Sequence, residues 1–214
     1  MANVSKINGF SPVKHLNGSP YNGQATMYAH SSGDATALFV GDVVKLVGSG
    51  NAQGIQYITA ATSGGAGTGA AAVGVVVGVV NTKLDPVTGK MTNGSISLDT
   101  PQYVPASTEQ YVMIADATDV IYEVEATTAS SAYTFTAADV GLNANLTAGA
   151  GGSTATGNSS FSLDMNDSGA TATLPFKIVG VSQRPDNAMA TTAVKVLVQL
   201  NNSQFKGGTG TAGV

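Results

Sequence analysis

Hydrophobic and polar positions along this chain follow the two-residue period of a β-strand rather than the 3.6-residue period of a helix. The clearest case is 119–125, with Val120, Tyr122 and Val124 on one face and Asp119, Ile121, Glu123 and Glu125 on the other. That pattern predicts a half-buried antiparallel strand whose second face is solvated. Residues 194–200 repeat it, setting Val194, Val196, Val198 and Leu200 against Lys195, Leu197 and Gln199. Further short strands are predicted at 38–40, 43–47, 55–59, 95–98, 102–104, 110–115 and 174–181, and residues 85–90 carry turn chemistry. The run 73–80 is β-branched without alternation and interrupted by Gly74 and Gly78, as in a buried strand with close backbone approach. No amphipathic helix longer than two turns is predicted. The expected fold class is all-β, an antiparallel β-barrel or sandwich.

Two stretches break the rhythm. Residues 1–33 hold Pro12, Pro20, three aromatic residues and no helical period, and read as an extended N-terminal arm. Either it is an edge strand plus loop of its own domain, or it lies across another subunit with Phe10, Tyr21 and Tyr28 as anchors. Residues 126–172 are Thr, Ala, Ser and Gly nearly throughout, and read as a long insertion from the domain that spans 34–206. Within it, 136–142 suits a short helical turn or a wide loop. Residues 207–214 read as a flexible tail.

Composition narrows the function classes. Charged residues make up 10% of the 214 positions, against about 25% in an ordinary domain, while 43% are hydrophobic. Disorder is not expected from such a chain. There is no cysteine, hence no disulfide framework and no thiolate chemistry. With Arg184 as the sole arginine and a net charge of −4, nucleic acid is not an expected partner. The longest apolar run, 70–80, falls well short of the roughly 20 residues of a spanning helix, so no membrane is expected. Charge is unevenly placed, since 1–33 carries Lys6 and Lys14 and no acid.

Candidate chemistry is sparse. The glycine-rich stretch 64–69 precedes a strand-like run rather than a helix and has no following lysine, which suits a hairpin connection and not a phosphate cradle. Asp164, Asn166 and Ser168 with Gly169 match the start of a calcium loop, but Pro175 stands where the bidentate carboxylate is needed. His15 and His30 are the only histidines, with no acid near them before Asp34; both read as surface or subunit-contact residues. The pairs Asp116/Asp119 and Glu123/Glu125 could serve a hydrolase, yet no nucleophile elbow is present. No catalytic, cofactor-binding or metal residue is assigned; an enzyme is not expected.

The opening Met1-Ala2-Asn3, then Gly9-Phe10-Ser11-Pro12-Val13-Lys14-His15-Leu16, is similar to the arm of small structural proteins of tailed bacteriophages. The stretch Ala-Leu-Phe-Val-Gly-Asp-Val-Val-Lys-Leu at 37–46 resembles the segment that follows it in that group. So does Ile178-Val179-Gly180-Val181 with Arg184-Pro185-Asp186-Asn187. The group is the head decoration, or cement, proteins, and the likeness covers about half the chain. The resemblance implies a virion protein made in the host cytoplasm that binds the phage major capsid protein and stabilises the outer surface of an HK97-type capsid. It would do so as a homo-oligomer, trimer first and dimer second, through Phe10, Val13, Lys14, His15, Leu16 and Tyr21. A host-binding fibre or adhesin-like surface protein is the alternative, with 126–172 as its binding face.

Overall fold

The computed structural model describes residues 3–62, 69, 71–80, 101–128, 133–147, 151–206, 210 and 213. The strand expected at 95–98, the turn at 85–90 and the glycine-rich turn at 64–68 lie outside the described residues. Eleven strands form among the described residues: β1 (Ser11–His15), β2 (Thr26–His30), β3 (Val43–Gly50), β4 (Gln56–Ala60), β5 (Gly74–Val80), β6 (Gln110–Ala115), β7 (Val120–Thr127), β8 (Asn143–Leu146), β9 (Leu163–Gly169), β10 (Phe176–Val181) and β11 (Lys195–Leu200). The expected turn near 136–142 is a 3₁₀ turn at Ala137–Asp139. The protein is all-β, as the alternation predicts.

Five strands close into a barrel in the order β2-β4-β3-β5-β6, and the other six form a sheet in the order β1-β7-β11-β10-β8-β9. The end of that sheet comes back on itself, because β9 also pairs in parallel with Ala126 and Thr127 of β7. Inside the barrel lie Tyr28, Leu38, Val44, Ile58, Val73, Val76, Val104, Val112 and Ile114. The larger core belongs to the second sheet and includes Phe10, Tyr122, Phe135, Phe161, Leu163 and Phe176.

The two cores share a wall. Val43, Val75 and Ala115 belong to the larger core, whereas their chain neighbours Val44, Val76 and Ile114 point into the barrel. A strand buried on both faces has no polar face to alternate with, which explains the continuous valines of β5. Gly74 sits at a close approach, since a β-carbon there would stand 2.2 Å from the Ala115 carbonyl oxygen. Gly78 differs: it pairs with Met113 just after a register shift that follows Val76, and a β-carbon there would make only an ordinary contact, 4.0 Å from the Met113 β-carbon, so it flanks a bulge rather than a close approach.

The described residues of 126–172 are part of the domain rather than an excursion from it. They supply β8 and β9, and Phe135, Leu146, Phe161 and Leu163 are all buried in the larger core. The few large apolar residues of this stretch are spaced by small polar ones, so its average composition hides its anchors. Residues 3–33 also fold onto their own chain: β1 pairs antiparallel with β7, and β2 is a barrel strand between β4 and β6. The outer edge of β1 is met by its own return, with the Ser19 carbonyl accepting from His15 N–H (2.8 Å) and Tyr21 N–H donating to the Val13 carbonyl (3.0 Å). Within the tail, Gly213 N–H donates to the Ala170 carbonyl at 3.1 Å.

Candidate functional site

A cleft of about 920 Å³ lies where the N-terminal segment, the turn at 40–41 and the 184–187 turn come together. Gly9, Phe10, Val40, Gly41, Arg184 and Asn187 are among its lining residues. Its floor is a crossing of two glycines. Gly9 (φ 75°) and Gly41 (φ 95°) both take left-handed backbone, and a β-carbon on Gly9 would stand 2.6 Å from the Gly41 carbonyl oxygen. Phe10 N–H donates to that same carbonyl at 2.9 Å. The next residue carries a buried carboxyl. Asp42 is buried, its Oδ2 accepts from Phe39 N–H at 2.8 Å, and burial pushes its carboxyl up to about 7 against the opposing pull of Ser159 and Phe39.

The walls are held by ion pairs. On β7, Glu123 accepts from Arg184 Nη1 at 3.0 Å and from the Ser182 hydroxyl. Arg184 also reaches both oxygens of Asp186 at 3.2 Å. Two residues along, Glu125 is buried, and it accepts from Lys195 Nζ (2.7 Å), Ser5 Oγ (2.6 Å) and Lys6 N–H (2.8 Å). Burial opposes the charge on Glu125, but those three donors outweigh it and keep the carboxyl below its usual range. Lys195 Nζ donates as well to the Lys6 carbonyl. Asn187 locks the turn, donating to the Ser182 and Lys195 carbonyls (2.8 and 2.7 Å) and accepting from Lys195 N–H (2.8 Å). Asn3 bonds Ala188 and Thr191. The outer face of β7 is therefore not solvated, because residues 3–8 are sewn over Glu125 and Ile121 is buried.

The six residues expected at a capsid or subunit contact are not equivalent. Phe10 is a core residue, 2% exposed and stacked on Phe176, so it offers nothing to another chain. Val13 (43%) and Leu16 (56%) are exposed. Lys14 is half-buried opposite Ile121 and Pro20. The ring of His15 pairs with Asp119 at 3.1 Å and leans toward Tyr21, whose hydroxyl donates to the Gln24 carbonyl at 2.7 Å. His30, expected at the surface, is completely buried in the barrel because β2 is an interior strand. Asp116, once a candidate acid, accepts from Thr26 (3.0 Å) and Tyr28 (2.9 Å).

Glu125, Asn187, Asn3 and Asp42 were not legible as a site. One signal existed: Lys195 and Glu125 are opposite-charge residues on two strongly alternating strands, and they stand directly opposite in the register. Among the described residues no group of His, Asp and Glu is placed to hold a metal ion. What the arrangement does chemically is fix backbone: each carboxylate at the cleft is bonded by donors of the same chain. No family model, no curated protein and no solved structure matches the chain.

Proposed function

We propose that this chain is a non-enzymatic virion structural protein that binds the outside of an HK97-type phage capsid and stabilises it, as a decoration or cement protein. The observation that supports this reading is the convergence of the three stretches that carry the family resemblance. Gly9 and Phe10 meet Gly41 of the second stretch, and Arg184 and Asn187 of the third line the same cleft. Stretches far apart in the chain that build one local structure form a more specific likeness than three separate short matches.

The mode of attachment follows the exposed side of β1 rather than a free arm. Val13 and Leu16 present apolar surface, with Lys14 and His15 between them. Each contact is small, and repetition over a lattice turns weak contacts into high occupancy. A closed cyclic oligomer, a trimer before a dimer, suits a lattice of local symmetry axes.

The test is co-sedimentation of the purified protein with expanded heads of the phage that carries it, stripped of decoration. Saturable binding in a fixed ratio to the major capsid protein is expected, weakened at least tenfold by the paired substitution Val13→Asp and Leu16→Asp. No binding to heads, with attachment to host cells instead, overturns the reading in favour of a host-binding surface protein.

A further inference from the structure

We propose that His30 is a doubly protonated clasp that holds the crossing 31–38 against residues 104–108 at one end of the barrel, and that loss of one ring proton releases it. The geometry of the ring carries this inference. His30 Nδ1 lies 2.8 Å from the Thr108 carbonyl oxygen and Nε2 lies 2.9 Å from the Thr36 carbonyl oxygen. Carbonyl oxygens only accept, and a neutral imidazole has a single N–H. In either neutral tautomer one ring lone pair would face a carbonyl lone pair at hydrogen-bond distance, in a site with no solvent exposure. Both contacts are satisfied together by the imidazolium alone.

A counter-charge is in place. Asp34 Oδ2 stands 3.5 Å from Nε2. Burial works against the Asp34 charge, but bonds from Thr59 and Thr36 and the adjacent His30 outweigh it and hold the carboxyl below its usual range. The other titratable groups on the packed elements are engaged elsewhere. On β4, Tyr57 donates to Glu109, which follows Thr108 (3.3 Å); on β6, Tyr111 accepts from Asn51 (2.7 Å); on β2 itself, Tyr28 donates to Asp116.

The clasp closes over a strained junction. Leu38 and Val104 exchange both backbone hydrogen bonds, at 2.9 and 2.7 Å, and both side chains cap the barrel core. Ser107 N–H donates to the Asp34 carbonyl at 2.7 Å while Ser107 itself is held at φ 55°, left-handed backbone unfavourable to a residue with a β-carbon. Opening relieves that strain, and a His⁺ bridging the two segments opposes opening. A histidine so placed converts a proton into a barrel-end closure.

Ring ¹⁵N NMR from pH 5 to 9, with amide exchange at Leu38, Val104 and Ser107, tests this in the Asp42→Asn background, so that the buried Asp42 does not titrate. Two protonated ring nitrogens are expected wherever those amides are protected. As the ring loses a proton, their exchange should accelerate at least tenfold beyond the base-catalysed trend followed by Val198. Asp34→Asn keeps an acceptor for Thr36 N–H but removes the counter-charge, and should move the release to lower pH. His30→Gln, with donors for one carbonyl, should leave the three amides unprotected throughout. A ring with a single N–H beside three protected amides, or a release unmoved by Asp34→Asn, overturns the proposal.

Discussion

The ring of Phe10 stacks on that of Phe176 with centroids 4.6 Å apart and an angle of 25° between planes. A residue from the first strand region thus completes the core of a sheet whose other members come from the second half of the chain. Phe10→Ala leaves a ring-sized void among Phe176, Tyr122 and their neighbours, and should cost about 3–5 kcal/mol. Urea unfolding followed by tyrosine fluorescence measures it, and a cost below 1 kcal/mol would show that the N-terminal segment is dispensable to the core.

Glu125 is the fastening of that segment. Glu125→Gln leaves Lys195 facing a neutral amide and should lower stability by about 3 kcal/mol. Limited proteolysis should then cut before residue 11 in conditions where the parent protein is intact. The folded carboxyl sits below its usual range, so its contribution is fully present above the unfolded value and is lost as pH falls through the folded one. The parent protein should therefore lose stability below about pH 4 through a component that the glutamine variant lacks.

Asp42 has the opposite sign. Its folded value, about 7, lies above the ordinary 3.8, so the folded protein binds a proton that the unfolded chain has released. The associated stability is fully present below about pH 4 and disappears as pH rises through 7, a loss on the order of 2–4 kcal/mol. Asp42→Asn mimics the neutral acid and should remove this slope. Urea midpoints at pH 4.5 and 7.5 decide it; parallel slopes in parent and variant would show that the carboxyl is ionised throughout.

Gly41 adopts φ 95°, and a β-carbon there would stand 2.8 Å from the Asn8 carbonyl oxygen. Gly41→Ala combines left-handed strain with a backbone clash and should cost about 2–3 kcal/mol. Gly18→Ala is the control, since its φ is 90° but nothing lies within 4 Å, and it should cost about 1 kcal/mol. Thermal unfolding of the two variants separates the strain from the contact.

The strands with clean alternation were legible from the chain alone, because one buried face imposes a period that composition cannot blur. β7 and β11 are the cases in point, and their inward sets, Val120, Tyr122, Val124 and Val196, Val198, Leu200, are all core. Legibility failed where burial came from elsewhere in the chain. Glu125 looks solvated in any local window, since its cover consists of Ser5 and Lys6 from more than a hundred residues away. Residues 126–172 look featureless because Phe135, Phe161 and Leu163 are rare among small polar neighbours, although each is fully buried. His30 lies in a segment whose prolines and glycines suggested an arm, and only the closure of β2 between β4 and β6 buries it.

The stitches between residues 3–8 and 188–195 have a kinetic consequence. Asn3 bonds Ala188 across 185 positions, and Lys195 bonds Lys6 across 189. During synthesis β1 can meet β7 as soon as that strand emerges, but the bonds from Asn3 and Lys6 to Ala188 and Lys195 must wait for the last strand, long after the barrel strands are complete. Closing such distant contacts comes late and slowly, and until then the edge of β7 is an open template for another chain. Refolding should show a fast phase for the barrel and a slow one for docking of the N-terminal segment, with aggregation falling as that docking is accelerated.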